Sequence, residues 1–242
     1  MGSVLAALAL TPSAPVLVPD LAGAAAAEVA DTREAAIAAA AALPDRWLVV
    51  GVGPADRVIG PDTRASYAGY GADVEVALSP HAPAARADVP LCALWAGWLR
   101  GQANPAATAE VRVYSAGHSP DAARAAGRAL RAEIDAAGQP VGVLVVADGA
   151  ATLTPAAPGG FDPDAAAVQA ALDDALAAGD PAALAALGDG ITGRVAYQVL
   201  AGLVGSTPCA AREMFRGAPY GVGYFVGLWT PEASTGLGTP EA

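Results

Sequence analysis

Three short, uninterrupted apolar runs constrain the fold of this chain most strongly: Val4–Leu10, Trp47–Gly53 and Val141–Ala147. Short apolar runs without polar alternation are typical of strands that are buried on both faces. An alanine-rich segment of helical composition, Leu21–Leu43, separates the first two runs and ends at Pro44. We therefore predict a β-α-β unit with parallel strands and a right-handed connection.

The same arrangement recurs in the second half of the chain. Val111–Ala116 predicts another strand, and Ser119 is a suitable N-cap for the helix that follows, with Pro120 at its first position and Gly138 at its end. We predict further helices at 91–100, at 163–178 and after Asp180, and a helical or apolar segment at 193–203. We also predict a loop with a short edge strand at 60–79, a loop at 79–88 and a last strand at 221–229. The expected fold is one three-layer α/β domain, residues 1–229, with a mostly parallel central sheet and a weakly ordered tail, 230–242.

Charge and cysteine content exclude several classes of function. The net charge of −11 argues against nucleic acid or an anionic membrane as a partner, because both require clustered cations. Two cysteines, Cys92 and Cys209, are too few for a disulfide framework or a thiolate zinc site. We predict that both are buried free thiols. No window is apolar and long enough to span a membrane, and the start of the chain lacks the positive region of a signal peptide. We expect a cytoplasmic protein.

The carboxyl ends of the predicted strands locate a binding pocket. In open α/β sheets, ligands bind beyond these ends. Three of them are recognisable at 11–15, 53–57 and 148–154, and the loops converge if the strands are parallel neighbours. His118 lies at the end of a fourth predicted strand. The candidate ligand-binding side chains are Ser13, Asp56, Arg57, His118, Asp148 and Thr152.

The first of these loops, Thr11-Pro-Ser-Ala-Pro-Val-Leu-Val-Pro-Asp20, resembles a motif of the class III extradiol dioxygenase (LigB-like) superfamily. In that family a first strand runs into Pro-His-Pro-Pro-Leu-Leu-Ile-Pro-Glu, and the histidine binds the metal. Ser13 stands at the place of this histidine. Ala55, in Val52-Gly-Pro-Ala55, stands at the histidine of a Ser-Pro-His motif. Leu153, in Asp148-Gly-Ala-Ala-Thr-Leu153, stands at about the histidine of Ser-Gly-Asp-Leu-Ser-His.

The resemblance extends over nearly the whole chain. The family's late Glu or Cys before a glycine falls near Ile191–Gly193, where no metal ligand is evident, and Pro219-Tyr-Gly-Val-Gly-Tyr224 is similar to the family's last strand. Within that superfamily the chain resembles alanine-rich, uncharacterised LigB-like proteins of high-GC bacteria. The resemblance implies the LigB-like fold, with its framework kept and its metal ligands replaced.

The replaced residues bear directly on the chemistry. Extradiol cleavage uses Fe(II) on two histidines and a carboxylate, with a further histidine as acid or base. Alanine and leucine have no donor atom, and a neutral serine hydroxyl is a poor ligand for Fe(II). The two histidines of the chain, His81 and His118, align with none of the family's ligands. They either form local hydrogen bonds in loops or rebuild a metal site with Asp148 or Asp20.

Three functional hypotheses remain open. In the first, the protein has lost the iron site, holds no metal or other cofactor, and binds a small ligand or a partner in the ancestral pocket. In the second, it is a divergent extradiol-type oxidoreductase with Fe(II) or Zn, or another enzyme that uses Asp148, His118 and Ser13. In the third, it is a non-catalytic subunit that pairs with a catalytic homologue. A homo-oligomer is the other assembly that we expect. The fold alone does not choose among them, because function resides in the site.

Overall fold

A seven-stranded sheet forms the centre of the computed structural model, which describes residues 4–232. The strands in chain order are β1 (Leu5–Thr11), β2 (Arg46–Gly53), β3 (Arg57–Ile59), β4 (Arg64–Ser66), β5 (Glu75–Ala77), β6 (Thr108–Ser115), β7 (Val141–Val146), β8 (Cys209–Gly217) and β9 (Tyr224–Pro231). The sheet has the order β3-β6-β2-β7-β1-β9-β8, while β4 and β5 pair with each other. The predicted α/β class is confirmed.

The sheet is parallel at its centre and antiparallel at its edges. The neighbours β6, β2, β7 and β1 run parallel. The strands β3, β9 and β8 pair in the antiparallel sense. The three apolar runs are therefore adjacent strands, with β7 between β1 and β2. The expectation of a mostly parallel sheet holds for this centre, and the whole sheet is mixed.

Helices cover both faces of the sheet. They are α1 (Pro19–Ala22), α2 (Ala30–Ala41), α3 (Leu91–Ala103), α4 (Pro120–Ala136), α5 (Ala165–Ala178), α6 (Pro181–Ala185) and α7 (Arg194–Val204). Alternate strand residues face opposite ways, so that Trp47 and Val49 pack on the side of α2 and α3, whereas Leu48 and Val50 pack on the side of α4, α5 and α7. This arrangement gives the three predicted layers.

Helix α4 confirms the capping prediction and packs very closely on α7. The Ser119 hydroxyl accepts the Ala122 N–H at 3.2 Å. A β-carbon on Gly127 would lie 2.0 Å from the carbonyl oxygen of Val199 in α7. One on Gly202 would lie 2.1 Å from the carbonyl oxygen of Arg124 in α4. The two glycines thus bring the helix backbones into direct contact, which positions α7 against the sheet.

Several predicted boundaries differ from the structure by a few residues, and two differences are the most informative. The continuous helix expected over Leu21–Leu43 is wrong: Gly23 has a positive φ of 54° after α1, a 3₁₀ segment covers Gly23–Ala27, and only α2 is a regular helix of several turns. The last strand begins at Tyr224 and continues to Pro231. The remainder of the expected tail, 233–242, lies outside the described residues.

Some strands were not predicted at all. Strand β8 was missed because its side chains are exposed or only partly buried, as expected for the edge of a sheet, so it lacks an apolar run. The short β3, β4 and β5 contain three residues each, too few for a periodic signal, although an edge strand was anticipated within 60–79. Within residues 4–232, every helix is too short or too polar to cross a membrane.

Candidate functional site

A cavity of about 400 Å³ lies where the carboxyl ends of β1, β2 and β7 meet. Its lining includes Ser13 after β1, Gly53 and Pro54 at the end of β2, and Asp148 after β7. Helix α3 contributes Cys92. We call this space the strand-end cavity. Its size lies within the range of about 300–1,000 Å³ that is typical of small-molecule sites.

The start of α7 closes one side of the cavity. Gly193 and Thr192 belong to the lining, and the Gly193 N–H donates to the Asp148 carbonyl oxygen at 2.8 Å. A β-carbon on Gly193 would lie 2.6 Å from the Ala147 β-carbon. Glycine is therefore required for this close approach. The resemblance located a family position at Ile191–Gly193, but it did not identify Thr192, whose side chain is exposed at the cavity.

Asp148 is the charged side chain of the strand-end cavity. One carboxylate oxygen, Oδ1, accepts the Ser13 N–H at 2.7 Å. Among residues 4–232, no arginine or histidine forms an ion pair with Asp148, and Oδ2 has no hydrogen-bond partner. Burial raises the pKa of Asp148 from 3.8 to about 6, and the Ser13 N–H partly opposes this rise. The carboxylate is thus largely withdrawn from water, open only in part to the cavity, and has no compensating positive charge.

The charge of Asp148 affects the pKa of two buried tyrosines, Tyr197 and Tyr224. The Tyr197 hydroxyl donates to the Ala147 carbonyl oxygen at 2.9 Å. Burial raises the pKa of Tyr197 and of Tyr224, and the negative charge of Asp148 raises both further. The field of the carboxylate therefore extends to α7 on one side and to β9 on the other.

Asp56 and Arg57 line a neighbouring cavity of about 370 Å³, which shares Pro54 with the first. Arg57 Nη1 donates to the Asp88 carbonyl oxygen at 3.1 Å. His118 Nε2 lies 2.7 Å from Oδ1 and 2.9 Å from Oδ2 of Asp56. The Ser115 N–H and His118 together hold the pKa of Asp56 below its ordinary value. Ser13 and Asp148 therefore line the first cavity, and Asp56 and Arg57 line the second. His118 lines neither cavity and contacts the second one through Asp56.

Thr152 lies in neither lining. Its carbonyl oxygen accepts the Asp162 N–H at 3.0 Å, and Leu153 forms a β-bridge with Phe161. Both residues thus belong to the loop that follows β7. The three positions that the sequence resemblance matched to histidines belong to different surroundings: Ser13 lines the strand-end cavity, Ala55 lines its neighbour, and Leu153 lines neither.

The donors of the strand-end cavity do not fit the iron site of an extradiol dioxygenase. That site needs two imidazoles and a carboxylate, whereas this lining offers one carboxylate, two hydroxyls and the Cys92 thiol. Burial raises the pKa of Cys92 to about 11, which keeps the thiol protonated. Across residues 4–232, no group of three or more His, Cys, Asp or Glu side chains is arranged to hold a metal ion. His81 is exposed in a turn.

Comparison with known proteins gives a likeness in fold. No family model and no curated protein matches the sequence. The structure is similar to the crystal structure of an uncharacterized protein, JW3007, from Escherichia coli K12, with a TM-score of 0.54 and 11% sequence identity. The similarity covers 92% of this chain and 99% of that chain. At this identity, the likeness shows a shared fold alone.

Proposed function

We propose that this chain is a LigB-like protein that binds a small organic molecule in the strand-end cavity, without the iron of the extradiol dioxygenases. The observation that carries the proposal is the convergence of three strand ends on a largely apolar cavity with one charged side chain, Asp148. An apolar cavity with a few polar groups is the usual form of a small-molecule site. A buried ionisable group with a shifted pKa is a frequent mark of such sites.

The polar groups of the cavity support binding better than covalent catalysis. A nucleophilic Ser13 would need a base within hydrogen-bond reach. The Ser13 hydroxyl has no imidazole partner in the described part of the chain, and the Nε2 of His118 is bound to Asp56. Cys92 is buried, and its raised pKa makes the thiolate scarce at neutral pH. These side chains can hold a ligand in place, and none is poised to attack it.

A variant that blocks the cavity tests the proposal. Ala116 lines the cavity at its rim and is exposed, so Ala116→Trp fills the space without disturbing the core. Ala129 is exposed on α4, and Ala129→Trp is the matched control. A library of small organic fragments is screened by ligand-observed NMR against all three proteins. We expect the wild type and Ala129→Trp to bind a shared set of fragments that Ala116→Trp does not bind.

Metal analysis tests the second part of the proposal. Elemental analysis of the purified protein should find iron well below one equivalent. Stoichiometric iron in the wild type that is lost in His118→Ala or Asp148→Ala would contradict the proposal. Equal fragment binding by Ala116→Trp and the wild type would show that the strand-end cavity is not the binding site.

A further inference from the structure

We infer that the ligand of the strand-end cavity carries a primary ammonium group, which binds to the carboxylate of Asp148. This inference rests on the function proposed above and narrows it to a class of ligand. The first observation is that the Asp148 carboxylate has no positively charged partner among the described residues. In residues 4–232 the Asp148 carboxylate accepts one N–H, from Ser13, and forms no ion pair.

An unpaired buried carboxylate is costly for a folded protein. Transfer of an isolated charge out of water is strongly unfavourable unless a partner compensates it. The neighbours of Asp148 do not compensate it: Tyr197 and Tyr224 are neutral, and the Cys92 thiol is protonated. A cation that enters the cavity would supply the missing charge. A neutral alcohol would donate a hydrogen bond but leave the buried negative charge in place.

The acceptors of the cavity match the donors of an ammonium group. A primary ammonium presents three N–H donors on a compact charge. Asp148, Ser13 and Thr192 all belong to the lining, and their side chains carry the acceptor Oδ2 and two hydroxyl oxygens. None of these three oxygens accepts a hydrogen bond from another described residue. An arginine-like guanidinium would also be charged, but it pairs best with a carboxylate whose two oxygens are both free, and Oδ1 of Asp148 already accepts the Ser13 N–H.

The remainder of the lining selects an apolar body for the ligand. Val52, Pro54, Val146 and Ala147 surround the space, and they offer no charge to a second ionic group. An anionic ligand would meet the Asp148 charge inside a chain whose net charge is −11. The ligand class that fits is therefore a small aliphatic or aromatic primary amine.

Calorimetric titration at pH 7.5 with benzylamine, n-butylamine and benzyl alcohol tests the inference. We expect wild-type protein to bind at least one amine, and more tightly than the alcohol. Asp148→Asn should weaken the affinity for the amine about 10-fold or more, because a charge-assisted hydrogen bond is lost. The same substitution should change the affinity for the alcohol by less than about 3-fold. Asp31 is exposed in the first turn of α2, so Asp31→Asn makes the same change in net charge and should leave amine binding within about 2-fold.

The outcomes separate this inference from the proposed function. Amine binding that survives Asp148→Asn, binding of the alcohol that equals or exceeds that of the amines, or failure of both amines to bind would overturn the inference. If alcohol binding is then abolished by Ala116→Trp, the cavity is still a binding site and the proposed function stands. Loss of amine affinity in Asp56→Asn instead of Asp148→Asn would assign the amine to the neighbouring cavity and overturn the inference.

Discussion

Replacement of Asp148 by asparagine should make the ligand-free protein more stable above about pH 6. Burial raises the pKa of Asp148 from 3.8 to about 6. Between these values the folded protein holds a proton that the unfolded chain has released. The free energy of unfolding therefore falls as the pH rises through this window and levels off above it. Asparagine carries no charge, so this fall is absent in Asp148→Asn.

The magnitude follows from the separation of the two pKa values. They lie roughly two pH units apart, and each unit corresponds to about 1.4 kcal/mol, which gives an upper value of about 3 kcal/mol. The carboxylate is partly open to the cavity, so we expect about 1–3 kcal/mol. The asparagine oxygen can still accept the Ser13 N–H, which makes the replacement nearly isosteric.

Urea denaturation of wild type and Asp148→Asn at several pH values between 4 and 8 measures this effect. The two proteins should be equally stable near pH 4, and at pH 7.5 the free energy of unfolding of the variant should exceed that of the wild type by about 1–3 kcal/mol. Asp56→Asn is the control of opposite sign. The pKa of Asp56 is lowered, so that variant should lose stability relative to wild type as the pH rises from its acidic range. A difference between wild type and Asp148→Asn that does not vary with pH would refute the reasoning.

Three further predictions concern packing and reactivity. Gly127→Ala should lower the free energy of unfolding by about 1–3 kcal/mol, because the added β-carbon meets backbone 2.0 Å away. Gly101→Ala, with open space around it in α3, should raise the free energy of unfolding by up to about 1 kcal/mol. Thermal denaturation measures both, and unchanged stability of Gly127→Ala would contradict the close helix contact. Thr11→Val should lower the free energy of unfolding, measured by urea denaturation, by about 1–3 kcal/mol. The reason is that the Trp95 indole N–H loses the Thr11 hydroxyl that accepts it at 3.1 Å. Thr11→Ser keeps a hydroxyl and should retain most of this stability. Cys92 should react with iodoacetamide at pH 7.5 only in denaturant, because its thiol is buried and its pKa is raised to about 11. Peptide mass spectrometry measures the labelling, and rapid labelling of the native protein would contradict the prediction.

The centre of the sheet and the place of the cavity could be predicted from local sequence. The apolar runs became β1, β2 and β7, and the loops after them meet as expected, because carboxyl ends of parallel neighbours lie at one edge of the sheet. Local signals also located α4 through Ser119 and Pro120. These features depend on residues that are close in sequence.

The chemistry of the site could not be predicted in the same way. The bond between His118 and Asp56 joins residues that are 62 positions apart, and no sequence pattern indicates it. The start of α7 lies against the Asp148 backbone through Gly193, and α7 itself packs on α4 through Gly127. Each of these is a property of tertiary packing, whereas the apolar runs report only that a segment is buried.

The position of β7 between β1 and β2 has a consequence for how the protein acquires its site. In the parallel centre of the sheet, β1 and β2 do not pair with each other, because both pair with β7. The first half of the chain therefore holds two central strands that cannot be joined until residues 141–146 are available. During synthesis, the strand-end cavity cannot exist until more than half of the chain has emerged. Contacts of such long sequence separation slow folding, so the strand-end cavity should form late in folding.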